Sequence, residues 1–264
     1  MNLAEYLREN SRPLEPVPTG EKPVLKSLDG VRSVVFDIYG TLVISAAGDI
    51  SLVQENASEV AMERAGVIAP GAAERYHELI AEQQARSKFD FPEVEIREVW
   101  RELTGETDAD RIEEIAVAYE CHANPVWPMP NCAEVIDELR NRGLKLGIVS
   151  NAQFYTRLMF PAFLGADLEG LGFDPELMIF SYEEGEGKPS RGLYRKLAEQ
   201  LRARGIEPGE TLYVGNDMRK DIAPAAEIGF QTALFAGDKR SLRKPVETAE
   251  VEPDWVLTDL SQLL

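Results

Sequence analysis

The sequence predicts an α/β domain in which a parallel sheet is covered by helices on both faces and interrupted near its start by an all-helical insertion. Three observations carry this reading. The apolar run Val34, Val35 and Phe36 ends abruptly in the polar stretch Asp37-Ile38-Tyr39-Gly40-Thr41, as a buried strand does on entering a turn. From residue 45 to residue 128 the apolar side chains recur at helical spacing, with no strand-like alternation among them. After Pro128, strand-sized apolar runs alternate with helical ones almost to the last residue.

In chain order, residues 1–30 read as an arm. A short amphipathic start over 3–8 is followed by Pro13, Pro16, Pro18 and Pro23, which favour extended chain over packed structure. The core is expected over 31–44 and 129–264, with the insertion over 45–128. Within the insertion, Val53, Ala57, Val60 and Ala61 share one helical face and Gly66 stops that helix. A second helix surrounds Arg75. Pro92 suits the first turn of a third, whose Ile96, Val99, Trp100 and Leu103 share a face before Gly105. The fourth carries Ile112, Ile115, Ala116 and Tyr119. Beyond the insertion, Asn131 and Glu134 have the spacing of a helix N-terminal cap pair. Val135 and Leu139 face inward, Gly143 ends the helix and 144–149 is a strand. Further strands are expected at 177–180, 211–214, 232–235 and 255–257, with helices over 190–204 and through Ala226.

Composition narrows the function. The chain has 264 residues, 44% of them hydrophobic, enough for one large domain or a domain with a sizeable insertion. Its 28 basic and 46 acidic side chains give a net charge of −18, which repels nucleic acid and anionic membranes. The apolar runs fall far short of the ~20 residues a membrane helix needs. Cys121 and Cys132 are the only cysteines, and no charged-then-apolar leader precedes the first helical stretch. A reducing cytoplasm is therefore the expected compartment, and an oligomer is possible but not indicated. The acidity is concentrated: residues 45–128 hold 18 acidic and 7 basic side chains, a net −11, leaving −7 for the other 180 residues. His77 and His122 both lie in the insertion, which argues against a histidine-based site, and Trp100 and Trp127 are expected to pack there. The cysteines read as small packing residues and 182–186 as a solvated acidic loop.

In a parallel sheet of this kind ligands gather at the carboxyl ends of the strands. Four polar clusters fall there: the stretch from Asp37 to Thr41, Ser150-Asn151, Lys188-Pro189 and the run Gly215-Asn216-Asp217-Met218-Arg219-Lys220-Asp221. Singly, each has an ordinary reading. Asp37 suits a turn or helix cap, Lys188 a solvated loop, and Asp217 with Asp221 the start of a helix. Their order and spacing together resemble the haloacid dehalogenase-like hydrolase superfamily. That family has a nucleophilic Asp in a D-x-x-G-T loop, a Ser or Thr after the second core strand, a later Lys, and an acidic motif after the next strand. The resemblance runs from about residue 31 to 257 and leaves the arm outside it.

The resemblance implies a Rossmann-like core with a four-helix cap, and an enzyme: a Mg²⁺-dependent hydrolase of a small phosphorylated metabolite. Asp37 would attack phosphorus and become the aspartyl-phosphate, with Lys188 as the second catalytic residue, neutralising crowded negative charge. Ser150 and backbone amides around Tyr39, Gly40 and Thr41 would hold phosphate oxygens, with Asn151 as a positioner. Asp37, the Tyr39 carbonyl, Asp217 and Asp221 would supply the hard oxygen ligands that Mg²⁺ prefers. Asn216 stands where family phosphatases often have the Asp of a Gly-Asp pair, so the sharing of the metal between Asp217 and Asp221 is open.

Tyr39 departs from the pattern, because family phosphatases carry there the Asp that protonates the leaving group and then activates water. A phenol is a poor base at neutral pH. The 2-haloacid dehalogenases of the superfamily do have Tyr at this place, and a departing halide needs no proton. They also hold the substrate carboxylate with an Arg soon after the first motif, and residues 42–63 contain neither Arg nor Lys. Two further readings are a phosphoryl substrate with a good leaving group, such as an acyl phosphate or anhydride, and a non-enzymatic phosphate-binding protein. An acidic lid over an anion site further favours small or zwitterionic substrates.

Overall fold

The computed structural model describes residues 2–47, 55–245 and 251–264, with side chains left aside at 55–57. The elements run α1 (Leu3–Asn10), β1 (Ser33–Phe36), β2 (Val43–Ser45), α2 (Glu55–Arg64), α3 (Ala72–Ala85), α4 (Ile96–Thr104), α5 (Ala109–Ala123) and β3 (Val126–Pro128). They continue with α6 (Cys132–Asn141), β4 (Lys145–Ser150), α7 (Met159–Leu164), β5 (Phe173–Phe180), α8 (Ser181–Glu184), α9 (Arg191–Ala203), β6 (Thr211–Gly215), α10 (Ala223–Ile228), β7 (Gln231–Phe235) and β8 (Trp255–Leu257).

β1 is buried along its whole length, and its β-branched and aromatic side chains suit a pleated surface covered on both sides. Alternation sends them to opposite faces. Val34 and Phe36 join the larger apolar cluster with Val135 and Leu139 of α6, and Val35 joins a second with Leu193 and Leu197 of α9. Each fully buried side chain of this size contributes about 1.5–3 kcal/mol. The six-stranded sheet has the order β5-β4-β1-β6-β7-β8, and every pairing in it is parallel. Phe36 is level with Ile148 of β4 on one side and Val214 of β6 on the other. The strands that follow β1 in space thus lie on both sides of it, and the crevice between their carboxyl ends is where such a sheet offers a site.

The four helices α2 to α5 leave and return through β2 and β3, which pair antiparallel from Val43 against Pro128 to Ser45 against Val126. Tyr76 of α3, Trp100 of α4 and Tyr119 of α5 pack as one aromatic cluster with centroids 4.8–5.1 Å apart. The two strands were not anticipated, because three residues are too few for alternation to register. Pro92 does not begin α4. That helix starts at Ile96, capped by the Glu95 side chain on the Arg97 amide, and Pro92 instead forms an isolated bridge to Glu186. Val53 lies outside the described residues, and Val60 is 54% exposed rather than inward.

Asn131 stands at the start of α6 but does not cap it: its backbone is left-handed, with φ 64°, and its side chain donates to Asp259 Oδ1 at 2.9 Å. β5 begins four residues early, at Phe173, which pairs with Leu146; Asp174, Pro175 and Glu176 then interrupt the apolar run where the register with β4 shifts before Met178 pairs with Ile148. The acidic stretch around Glu183 is the short helix α8, with Glu184 paired to Lys196. The arm is extended, as its prolines require, yet it packs. Leu7 of α1 is buried, Thr19 Oγ1 donates to the Ala236 carbonyl at 2.7 Å, and Val24 pairs with Val256 at the edge strand β8. Extended backbone between prolines keeps the donors and acceptors that an open sheet edge lacks. Among the described residues no helix is long and apolar enough to cross a membrane.

Candidate active site

The loop after β1 turns sharply on the Ile38 carbonyl, which accepts from the amides of Thr41, Leu42 and Val43. Gly40 makes the turn possible. Its φ is +82°, and a Cβ there would lie 2.4 Å from the Ser241 Cβ and 2.8 Å from Asn216 Nδ2. Asp37, at the head of this turn, is buried. Its Oδ1 accepts from Ser150 Oγ at 2.9 Å and from Lys188 Nζ at 2.6 Å. The turn after β1, the end of β4 and the loop before α9 thus meet at one carboxylate oxygen. Among the described residues, Oδ2 takes no hydrogen bond from the protein.

Lys188 Nζ also lies 2.6 Å from Asp221 Oδ1. Burial pulls the Lys188 ammonium down, but Asp221 and Asp37 outweigh it and raise it above its ordinary value. Burial likewise pushes the Asp221 carboxyl up, against the opposing pull of Lys188. One ammonium touching two carboxylate oxygens at 2.6 Å is a charged triad. Asp221 is held further by Tyr213 OH on Oδ1 and the Asp217 amide on Oδ2. A Cβ on Gly215 would lie 2.4 Å from the Asp221 Cγ, so glycine is needed for this approach.

Asp217 Oδ1 caps the turn after β6, accepting from the Arg219 and Lys220 amides. Burial raises its carboxyl. Asn216 donates to the Ser241 carbonyl and accepts from Thr41 Oγ1, so it ties the first loop to the loop after β7. Asn151 accepts from the Lys188 amide at 2.6 Å and donates to its carbonyl at 3.3 Å.

Asp37, Tyr39, Asn151, Lys188, Asp217 and Asp221 line one cavity of about 550 Å³, while Ser150 lies behind Asp37, hydrogen-bonded to it. Gly40 and Thr41 are placed otherwise than expected. Their amides donate to the Val43 and Ile38 carbonyls and the Thr41 hydroxyl to Asn216, because closing the tight turn consumes the groups that a phosphate would need.

The Tyr39 hydroxyl lies 2.8 Å from Thr156 Oγ1. Burial, then the charge of Glu120, push its phenol well above the usual range, so it is a neutral hydroxyl at any physiological pH.

The donor chemistry suits Mg²⁺, which takes one or two carboxylates and completes its shell with waters and phosphate oxygens. The unused oxygen of Asp37, Asp217 and the Tyr39 carbonyl are of that kind. Among the described residues no three acidic, histidine or cysteine side chains form a ready-made cage, and both oxygens of Asp221 are engaged with protein groups.

Motif spacing gave no sign of the other residues that complete the cavity. Glu120 of α5 is buried at 5% exposure; its Oε2 accepts from Tyr155 OH at 3.0 Å and its Oε1 from Asn124 at 3.3 Å. Burial pushes its carboxyl up to about 7, against those two hydrogen bonds. Gln153 bridges the core to the insertion by accepting from the Ile96 amide and donating to the Val94 carbonyl. Arg243 meets the Asn216 backbone from the loop after β7. A one-sided helix pattern marks these positions as inward facing but not as facing a cavity.

This sheet, with its carboxylate–lysine–carboxylate centre at the strand ends, is matched by a family model of haloacid dehalogenase-like hydrolases over residues 31–229. The chain belongs to that hydrolase family. It is 23% identical to pyrophosphatase PpaX of Oceanobacillus iheyensis over 89% of this chain and 95% of that protein. It is 30% identical to the glyceraldehyde 3-phosphate phosphatase of Methanocaldococcus jannaschii, over 52% of this chain and 55% of the relative. Its fold is similar to that of the 2-haloacid dehalogenase of Pseudomonas syringae pv. Tomato DC3000, with TM-score 0.57, 19% identity and coverage of 88% and 96% of the two chains.

Proposed function

We propose that the protein is a Mg²⁺-dependent hydrolase that removes a phosphoryl group from a small compound through an aspartyl-phosphate on Asp37. The single observation that carries this is the Asp37 carboxylate. It is anchored through Oδ1 by Lys188 and Ser150 and leaves Oδ2 without a protein partner in the cavity. A nucleophile so held has one oxygen fixed and one to offer. The phosphatase and pyrophosphatase names of the relatives support the substrate class.

In this reading Asp37 Oδ2 forms a bond to phosphorus as the bond to the leaving oxygen breaks, and that oxygen keeps the electron pair. Water then attacks phosphorus, its proton staying with the phosphate released, and Asp37 departs as a carboxylate. Lys188 lowers the repulsion between the carboxylate and the phosphoryl oxygens at both steps. When bound, Mg²⁺ would neutralise phosphoryl charge, held by Asp37, Asp217 and the Tyr39 carbonyl, while Asp221 fixes Lys188. Ser150 and Asn151 position Asp37 and Lys188, and the Tyr39 amide rather than those of Gly40 and Thr41 faces the phosphoryl group. The Tyr39 hydroxyl can donate a hydrogen bond but accepts no proton from water, which favours leaving groups that need no acid, as in anhydrides and acyl phosphates. The helices of 45–128 act as the cap over this site, and the cytoplasm is the expected compartment.

Tyr39 also favours a second reading, carbon–halogen hydrolysis at the same carboxylate. A panel of phosphate esters, acyl phosphates, pyrophosphate and 2-haloacids, with and without Mg²⁺ and alongside Asp37→Asn, separates the two. Mg²⁺-dependent phosphate release lost in Asp37→Asn is the expected result. Metal-independent halide release overturns the first reading in favour of the second, and turnover of nothing overturns both in favour of a binding protein.

A further inference from the structure

The charge lining the cavity is divided by origin. Among the described residues its cations, Lys188, Lys220 and Arg243, come from the segments that follow β5, β6 and β7, and Lys220 shares its loop with Asp217 and Asp221. Among the described residues, the insertion contributes no Lys or Arg to the lining and two acids, Glu93 and Glu120. Elsewhere on the insertion the acids meet arginine at the surface: Arg75 pairs with Glu78 and Glu82, Arg97 with Glu95 and Glu113, and Arg111 with Glu114.

Among the described residues Glu120 has no such partner. It is buried, is held by a phenol and an amide, and makes no ion pair among the described residues. Around it the same cavity is lined by Tyr76, Tyr119 and Tyr155. A carboxylate taken out of water without a counter-charge is costly. Its position, at the wall of a ligand-sized cavity that three tyrosines also line, is that of a group whose counter-charge arrives with the ligand.

We propose that the Glu120 wall of the cavity is a subsite for an alkylammonium group, and hence that the small phosphoryl compound hydrolysed carries an amine. The phosphoryl end of this proposal rests on the reading of Asp37 given above; the cation subsite stands on Glu120 and its tyrosines alone. The elevated carboxyl of Glu120 agrees with it, since a bound ammonium restores the charged form. A second anionic group on the substrate meets Glu120 with like charge, so carboxylated phosphates and bisphosphates are disfavoured.

The test uses the full chain carrying Asp37→Asn, with MgCl₂, and two ligands of equal size: O-phosphoethanolamine and n-propyl phosphate. Calorimetry is expected to find the amine bound about tenfold or more tightly. Adding Glu120→Gln should collapse that ratio to within about twofold. Where n-propyl phosphate binds, equal or weaker binding of the amine before any change at Glu120 overturns the subsite, and this arm does not depend on the double variant folding. A preference that survives Glu120→Gln in a folded protein also overturns it. Ethylammonium is the third ligand: if it binds in a Glu120-dependent manner while neither phosphate binds, the subsite stands and the phosphohydrolase reading falls. If none of the three binds, both fall.

Discussion

Asn151 grips the main chain of Lys188 from both sides, accepting from its amide at 2.6 Å and donating to its carbonyl at 3.3 Å. Through this grip the end of β4 sets where the ammonium stands, and the ammonium sets the anchored oxygen of Asp37. Asn151→Ala removes both bonds without touching a charge. Misplacing a reacting group by about 1 Å costs on the order of a hundredfold in rate, so kcat for the best phosphoryl substrate should fall by about that factor. The melting temperature should move by only a few degrees. Steady-state kinetics beside a thermal melt check this, and an unchanged kcat in a folded variant removes Asn151 from the positioning of Lys188.

Asp217 and Asp221 stand four residues apart and should fail differently. Both oxygens of Asp221 are taken by Lys188, Tyr213 and the Asp217 amide, so Asp221→Asn weakens a buried charged triad, at a cost of about 3 kcal/mol. Asp217→Asn keeps an oxygen able to cap the Arg219 and Lys220 amides and should cost less than about 1 kcal/mol. It should nevertheless raise the Mg²⁺ concentration needed for half-maximal rate by about tenfold. Chemical denaturation and a Mg²⁺ titration on both variants give the comparison. The reverse pattern would exchange the two roles.

The parts of the fold with strong periodic signals were legible before any coordinates. The run from Val34 to Phe36, the helix around Val135 and Leu139 and the strand 255–257 all lie where their burial patterns put them. The strand-end acids and lysine were legible for a different reason, since their types and order resemble the motifs of the family. Tertiary partners decided the remainder. Asn131 trades its cap for Asp259, and Thr41 spends its hydroxyl on Asn216. Glu120 was invisible because α5 buries residues around much of its circumference, so no single stripe marks a cavity wall.

Tyr39 sets a limit on which phosphates leave well. Its phenol stays neutral because burial and the charge of Glu120 raise it, so it can assist departure but not take a proton from water. Tyr39→Asp places a carboxylate at that point. General acid–base assistance is worth about 10²–10⁴-fold, so the rate for an alkyl phosphate should rise toward that of an activated aryl phosphate, narrowing the gap between them. Rates for a series of esters of graded leaving-group pKa measure this directly. A folded Tyr39→Asp protein with the same steep dependence as wild type would mean that Tyr39 does not limit the reaction.

Glu120 makes stability depend on pH in a sense opposite to most carboxylates. Burial raises its folded-state value to about 7 from the ordinary 4.5, so between those values the folded protein binds more protons than the unfolded chain. The stabilising contribution is fully present below pH 4.5 and is lost as pH rises through 7. At about 1.4 kcal/mol per pH unit, the loss amounts to about 3 kcal/mol. Glu120→Gln removes the titration while keeping an acceptor for Tyr155. Urea unfolding at pH 5.0 and 7.5 should therefore show wild type losing stability relative to Glu120→Gln as pH rises. Parallel pH curves for the two proteins would mean that Glu120 stays ionised when folded. Its burial would then be balanced by a partner other than Tyr155 and Asn124.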